Sequence, residues 1–171
     1  MNIRKLETNK KQYLTLLLLA DEQENMVDRY LERGTMYVLE DNGVKAECVV
    51  TDEGDGVLEL KNIAVEPEFQ GRGYGKALVD FLIQTYGGQY HVLQVGTGDS
   101  PLTVPFYEAC EFQRHHLVQN FFTDHYDHPI YEGGCSLWIW FIYKESCNHT
   151  EYLRPCLKNK SCTNGYDLVN Y

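Results

Sequence analysis

The stretch that decides the fold is LELKNIAVEPEFQGRGYGKALVDFLIQTY, residues 58–86. It opens with an apolar run of strand length, which Pro67 ends because proline has no N–H to give to a sheet. Gly71, Gly73 and Gly75 follow at every second position, where the backbone must bend or approach a ligand closely. Apolar residues then recur at helical spacing after Lys76, so the stretch predicts a strand, a sharp loop and a helix.

A glycine loop in front of a helix is suited to binding an anion. The first N–H groups of a helix have no partner inside it, and the helix dipole adds partial positive charge there. Arg72 and Lys76 flank this uncrowded backbone. A tight turn that merely needs glycine is the alternative, but the pattern favours a phosphate or diphosphate ligand.

Two common phosphate-binding motifs do not fit the loop. The dinucleotide motif would need its third glycine one residue after Gly75, and the P-loop would need a glycine at Gln70 and a Ser or Thr at Ala77. The chain instead carries Gln70-x-x-Gly73-x-Gly75 between a strand and a helix. This pattern resembles the acetyl-CoA signature of the GNAT N-acetyltransferase superfamily, and the wider resemblance is to uncharacterised bacterial members.

The resemblance implies an α/β (α+β) fold. The expected sheet is mixed but mostly antiparallel, with about six or seven strands, a parallel central pair splayed at the cofactor site, and about four flanking helices. We expect one domain over residues 1–145, followed by a polar tail over residues 146–171.

The residue patterns themselves predict several elements. Asp41-Asn42-Gly43 is a hairpin turn signal. Helices are expected at 10–20 and 22–33, the second with Asp21 as its N-cap. Late strands at 112–122 and 137–143 are expected to pair at the sheet edge.

The strand before the glycine loop has an irregular pattern. Its apolar residues stand at even positions, Leu58 and Leu60, and then at odd ones, Ile63 and Val65. Side chains alternate with period two, so the slip indicates a β-bulge near Lys61-Asn62, unless the strand is buried on both faces.

Composition narrows the functional classes. The chain has 171 residues, 43% of them hydrophobic, and a net charge of −10, which disfavours a nucleic-acid partner. No apolar stretch approaches the ~20 residues that span a bilayer, so no membrane partner is expected. The six cysteines are irregularly spaced, which argues against a metal site and favours reduced thiols in the cytoplasm.

The resemblance implies acetyl-CoA as co-substrate and no metal. It places the N–H of Ile63 at the acetyl oxygen and pairs Ala64 and Val65 with the pantetheine amides, as an added strand would. The full set that it assigns to the cofactor is Ile63, Ala64, Val65, Gln70, Gly71, Arg72, Gly73, Tyr74, Gly75, Lys76 and Ser100.

Two side chains are candidates for catalysis by the same resemblance. Glu59, eleven positions before Gln70, matches the catalytic glutamate of histone-type members and would take the proton of the amine. A surface glutamate paired with Lys61 is the alternative. Tyr107, in Phe106-Tyr107-Glu108, matches the tyrosine that protonates the leaving sulfur, although Glu111 replaces the usual glycine.

The acceptor is expected where the N-terminal helices, the loop at 123–134 and the strand around Glu59 converge. Asp124 and Asp127 would attract a cationic amine there, on a small molecule or a peptide. The alternative function is a non-catalytic acyl-CoA-binding regulatory module. A homodimer through an edge at 137–143 is a further expectation by analogy with the superfamily.

Overall fold

The computed structural model describes residues 1–127, 130–132, 135–136 and 139–145. Its centre is a seven-stranded sheet formed by β1 Asn2–Leu6, β2 Thr35–Glu40, β3 Val44–Gly54, β4 Val57–Val65, β5 Val92–Gly98, β6 Gln113–Val118 and β9 Ile139–Glu145, beside a separate two-stranded pair of β7 Tyr131–Glu132 and β8 Cys135–Ser136. The strand order in the main sheet is β1-β2-β3-β4-β5-β9-β6, antiparallel except for the parallel pair β4–β5. The predicted mixed sheet and central parallel pair are therefore confirmed.

Helices cover both faces of the sheet and enclose two apolar clusters. The helices are α1 Leu14–Leu17, α2 Glu24–Leu31, α3 Tyr74–Tyr86, α4 Val104–Ala109 and α5 Phe121–His125. One cluster joins the sheet to α3 and α4 through Leu60, Leu78 and Tyr107. The other joins the opposite face to α1 and α2 through Leu17 and Tyr30.

The predicted β-bulge lies in β4. Val49 of β3 pairs with Asn62, but the next residue, Val50, pairs with Leu60, so Lys61 is the extra residue. Leu60 belongs to the cluster under α3, and Ile63 packs against the same cluster from beyond the bulge. The inserted residue exchanges the faces of even and odd positions, so Leu60 before the bulge and Ile63 after it lie on the same side of the sheet. This explains why the apolar positions change from even to odd in the sequence.

Three predictions about the bounds and caps of helices and strands need correction. The segment at 10–20 is a 3-10 turn, Lys10–Tyr13, followed by the short α1. Asp21 is not a helix cap, because α2 begins after Gln23 and its carboxylate is held by Tyr30 and Tyr126. The strand predicted at 112–122 is shorter, because α5 begins at Phe121.

The late strands pair as predicted, but their order overturns the edge contact proposed for a homodimer. β9 pairs with β5 on one side and with β6 on the other, so residues 139–143 of the expected edge belong to an internal strand and β6 is the edge. Residues 137 and 138 lie outside the described residues. The predicted tail, 146–171, lies outside the described residues. In the part of the chain that the structure describes, no helix is both long enough and apolar enough to cross a membrane.

Candidate active site

The three glycines of the loop serve two different physical needs. Gly71 and Gly73 have φ values of 72° and 85°, in the left-handed region that side chains disfavour. Gly73 is the N-cap of α3. Gly75 lies inside the helix, where an added Cβ would stand 3.1 Å from the ring of Phe106. Its small size therefore allows α3 to pack closely on α4.

The loop presents unpaired backbone amides at the start of α3. Ala77 is the first residue of the helix whose N–H bonds back, to the carbonyl of Gly73 at 2.9 Å. Within the described residues, the amides from Gly71 to Lys76 make no main-chain hydrogen bond. Together with the helix dipole, this row of donors forms an anion-binding concavity.

The charged and polar side chains of the loop are partly engaged elsewhere. Lys76 forms an ion pair with Asp80 at 2.6 Å and still lines the groove described below. Arg72 is exposed, donates to the carbonyl of Glu68 and does not line the groove. The hydroxyl of Tyr74 donates to Asp41, and this hydrogen bond raises the pKa of Tyr74.

The parallel strands β4 and β5 separate next to this loop. Their pairing runs from Val57 with Val92 to Leu60 with Val95 and stops at the bulge, although both strands continue. Beyond the bulge the N–H of Glu66 donates to Lys45 of β3. Backbone groups alternate in direction along an antiparallel strand, so Ala64 also points toward β3, whereas Ile63 and Val65 point into the gap.

This alternation separates Ile63 and Val65 from Ala64 among the three residues that were predicted to contact the cofactor arm. Ile63 and Val65 present their main-chain groups where an added strand would pair, and the carbonyl of Val65 already accepts from the side chain of Gln70 at 3.2 Å. Ala64 pairs with Glu47 of β3, so its main-chain groups belong to that ladder and not to the gap.

One groove of about 1410 Å³ connects these features. It passes from the glycine loop through the gap between β4 and β5 to α2 and α5. It brings together most of the predicted site residues, including Asp124, but Arg72, Ser100 and Asp127 do not line it. Ser100 is buried, and its hydroxyl accepts the N–H of Leu102 in a tight turn.

Glu59 lies in the wall of the groove with both carboxylate oxygens engaged. Lys61 donates to one oxygen at 2.6 Å, and the side-chain amide of Gln94 donates to the other. Lys61 also lies 3.4 Å from Glu53, which pairs with Arg33 at 2.7 Å. The ion pair with Lys61, which was the alternative to a catalytic role, is therefore present. Glu59 nevertheless lines the groove.

Tyr107 lines the groove from α4 and is 6% exposed. Its ring packs edge-on against Phe106 and Phe112, with centroids 5.1 and 5.6 Å away. The aromatic contacts hold the ring in place, and the hydroxyl is the group of Tyr107 that can take part in proton transfer.

Sequence reasoning missed three polar residues of the groove. Asn62 donates to the hydroxyl of Tyr30 at 2.8 Å and to the carbonyl of Leu17 at 3.0 Å. The sequence did contain a sign of Asn62: it is a polar residue at the point where the apolar positions of the strand change from even to odd. Gln94 stands beside Glu59 because of the β4–β5 register, and no local pattern marks either Gln94 or Tyr30. Among the described residues, no group of three His, Cys, Asp or Glu side chains is placed to hold a metal ion.

Comparisons with known proteins agree with this geometry. The sequence model of the acetyltransferase (GNAT) domain matches residues 32–114. The uncharacterized N-acetyltransferase YvbK of Bacillus subtilis (strain 168) is 35% identical over an alignment of 143 residues, which covers 78% of this chain and 92% of that protein.

Two solved structures are similar along most of their length. A GNAT family acetyltransferase from Elizabethkingia anophelis with acetyl-CoA bound is 30% identical, with a TM-score of 0.80 over 84% of this chain and 97% of that one. An acetyltransferase of Bacillus subtilis in complex with CoA is also 30% identical, with a TM-score of 0.77 and the same coverage. This chain therefore belongs to the GNAT family of N-acetyltransferases, which are acyltransferases that use acetyl-CoA.

Proposed function

We propose that this chain transfers the acetyl group of acetyl-CoA to a primary amine of a small molecule or a peptide. The observation that carries the proposal is the placement of two backbone features in one groove. The unpaired amides at the start of α3 suit a diphosphate, and the gap between β4 and β5 suits an extended amide chain. The similar structures solved with CoA and acetyl-CoA support this placement.

The residues divide into those that bind the diphosphate and those that bind the extended arm. Gly71, Gly73 and the first turn of α3 supply N–H donors to the diphosphate, and Lys76 adds positive charge. Ile63 and Val65 supply main-chain groups to the arm. Acetyl-CoA, when bound, supplies a thioester at the open end of β4.

Transfer requires an uncharged amine, because an alkylammonium of pKa ~10 has no free electron pair to attack with. Glu59, which lies beside the bulge, accepts that proton directly or through a water molecule. The N–H of Ile63 donates to the acetyl oxygen, where negative charge grows. Tyr107 gives its hydroxyl proton to the departing sulfur.

The acceptor amine approaches from the part of the groove between α2 and α5. Asp124 lies in that wall and adds negative charge, whereas Asp127 is exposed outside it. In this proposal residues 1–145 form one acetyltransferase domain and the protein is cytoplasmic. It forms a homodimer through a surface other than β9, because β9 is not an edge strand.

An acetylation assay over a panel of primary amines tests the proposal. The expected result is steady release of CoA thiol with at least one amine and a mass increase of one acetyl group on the product. Binding of acetyl-CoA without thiol release from any amine would instead favour the acyl-CoA-binding module. Failure to bind acetyl-CoA would contradict both functions.

A further inference from the structure

Asp21 is a half-buried carboxylate at the acceptor end of the groove. It lies between α1 and α2, and two tyrosine hydroxyls hold it: Tyr126 at 3.2 Å from one oxygen and Tyr30 at 3.5 Å from the other. All three residues line the groove. Tyr126 comes from beyond α5, so two distant segments of the chain meet on this carboxylate.

Asp21 differs from Glu53 and Glu59 in this wall because it forms no ion pair with a Lys or Arg side chain of the described part of the chain. Glu53 and Glu59 are paired with Arg33 and Lys61. Among the residues that the structure describes, no Lys or Arg nitrogen lies within 4 Å of Asp21. Arg29, which also lines the groove, acts on Asp21 only through longer-range electrostatic attraction, so no ion pair from the described residues neutralises this carboxylate.

The neighbouring Asn62 adds an independent sign that a donor belongs here. It is 3% exposed, and both donor positions of its amide are used, toward Leu17 and toward the hydroxyl of Tyr30. Its carbonyl oxygen is buried and has no hydrogen-bond partner within the described part of the chain. Buried polar atoms of this kind call for an explanation, since an unmade hydrogen bond costs roughly 1–3 kcal/mol.

The hydrogen bonds around Tyr30 therefore leave acceptors in excess. The hydroxyl of Tyr30 accepts a hydrogen bond from the amide of Asn62 and donates one to Asp21. Asp21 also accepts from the hydroxyl of Tyr126 and from the backbone N–H of Gln23. A carboxylate has about four lone-pair sites, so Asp21 keeps one acceptor site, as does the carbonyl oxygen of Asn62. An ammonium group carries three N–H donors and one positive charge, which complements this surplus.

A nitrogen that binds at Asp21 cannot be the one that is acetylated. A carboxylate without a cationic partner stabilises the charged form of an amine, and that form cannot attack the thioester. The attacking nitrogen must lie at the open end of β4, beside Ile63 and Glu59. Two nitrogens of one acceptor are needed to occupy both places.

We propose that Asp21 determines acceptor specificity by binding a second, cationic nitrogen, and that the acceptors are aliphatic diamines or polyamines. The aliphatic spacer would lie along Leu19 and Met26, which line the groove beside Asp21. This inference rests on the proposed transfer to a primary amine and names the class of that amine.

Binding measurements test the inference without relying on turnover. Calorimetry on the CoA-saturated protein compares a series of α,ω-diaminoalkanes with n-alkylamines of equal carbon number. The wild type is expected to bind the best diamine at least about tenfold more tightly than its matched monoamine, which corresponds to the ~1.4 kcal/mol of a modest ion pair. Asp21→Asn is expected to abolish that preference.

Two further variants keep the test decisive. Glu22→Gln removes the adjacent carboxylate of the same wall and is expected to keep the preference. If Asp21→Asn does not fold, Tyr126→Phe, which removes one hydroxyl that holds Asp21, is expected to weaken diamine binding more than monoamine binding. Equal binding of diamines and monoamines by the wild type, or an unchanged preference in the folded Asp21→Asn variant, would overturn the inference.

The subsite and the proposed function fail in distinguishable ways. Turnover of monoamines and diamines with equal efficiency would leave the transferase standing and reject the subsite. Diamine binding that depends on Asp21 without thiol release from any amine would support the subsite and reject the transfer.

Discussion

Glu47 lies directly opposite Ala64 in the β3–β4 ladder, and its carboxyl is fully buried. Neither carboxyl oxygen has a hydrogen-bond partner in the part of the chain that the structure describes. Burial raises the pKa of Glu47 well above its ordinary value, and the nearby N–H of Ala64 does not reverse that shift. The strand that pairs with β4 therefore carries a carboxyl group that ionises less readily than an ordinary glutamate.

The stability of the protein should consequently fall as the pH rises. In the unfolded chain Glu47 ionises near its ordinary pKa of about 4.3, whereas in the folded chain it stays protonated to higher pH. Between these two pKa values the unfolded state releases the proton and the folded state does not. The free energy of unfolding therefore decreases as the pH rises through that interval. Glu47→Gln is expected to be more stable than the wild type at pH 8 and equal to it near pH 4.

Urea denaturation over a series of pH values measures this difference. Glu68→Gln, at an exposed glutamate, serves as the control and should leave the pH dependence of the wild type unchanged. A constant difference between Glu47→Gln and the wild type at all pH values would show that Glu47 is not responsible.

Gly73→Ala should weaken acetyl-CoA binding about tenfold. The φ of 85° at Gly73 is left-handed, which costs an alanine about 1–2 kcal/mol, so the loop would rearrange and turn its amides away. Gly88→Ala is a matched control, because an added Cβ meets nothing within 4 Å at either glycine and Gly88 has no left-handed φ. Calorimetry with acetyl-CoA compares the two variants, and equal affinities would argue against a role for the loop conformation.

Glu59→Gln should lower kcat by at least about a hundredfold, because it removes the proton acceptor and keeps the side-chain shape. Glu53→Gln is the control, since Glu53 also contacts Lys61 but lies farther along the ion-pair chain. Steady-state thiol release measures both variants. Similar small losses in the two would assign Glu59 a structural role in the ion-pair chain.

Tyr107→Phe should lower kcat about tenfold or more, with little change in the KM for acetyl-CoA, because the ring still packs against Phe106 and Phe112. Tyr86→Phe is the control: its hydroxyl bonds Tyr37 at 2.8 Å outside the groove. Both variants are checked by thermal unfolding. Unchanged kcat in Tyr107→Phe would remove this hydroxyl from the mechanism.

The parts of the site that follow local rules could be predicted from the sequence. The strand, the glycine loop, α3 and the bulge each depend on residues that are near one another in the chain. The left-handed φ at Gly71 and Gly73 confirms that the spacing of glycines was informative. Element ends were less predictable: α1 ends at Leu17 and β6 at Val118, before the predicted ends at 20 and 122.

The acceptor side of the groove depends on residues that no local pattern connects. Gln94 reaches Glu59 through the strand register, and Asn62 meets Tyr30 through packing of α2 on the sheet.

By itself the sequence determined the strand–loop–helix unit and the class of cofactor it suits, because backbone conformation and the unpaired amides of a helix start depend on neighbouring residues. Only the tertiary structure decided which carboxylates are paired, which are buried and which face the groove. Hydrogen bonds, ion pairs and desolvation act through space, and here they join Asp21 to Tyr126 across 105 positions of the chain.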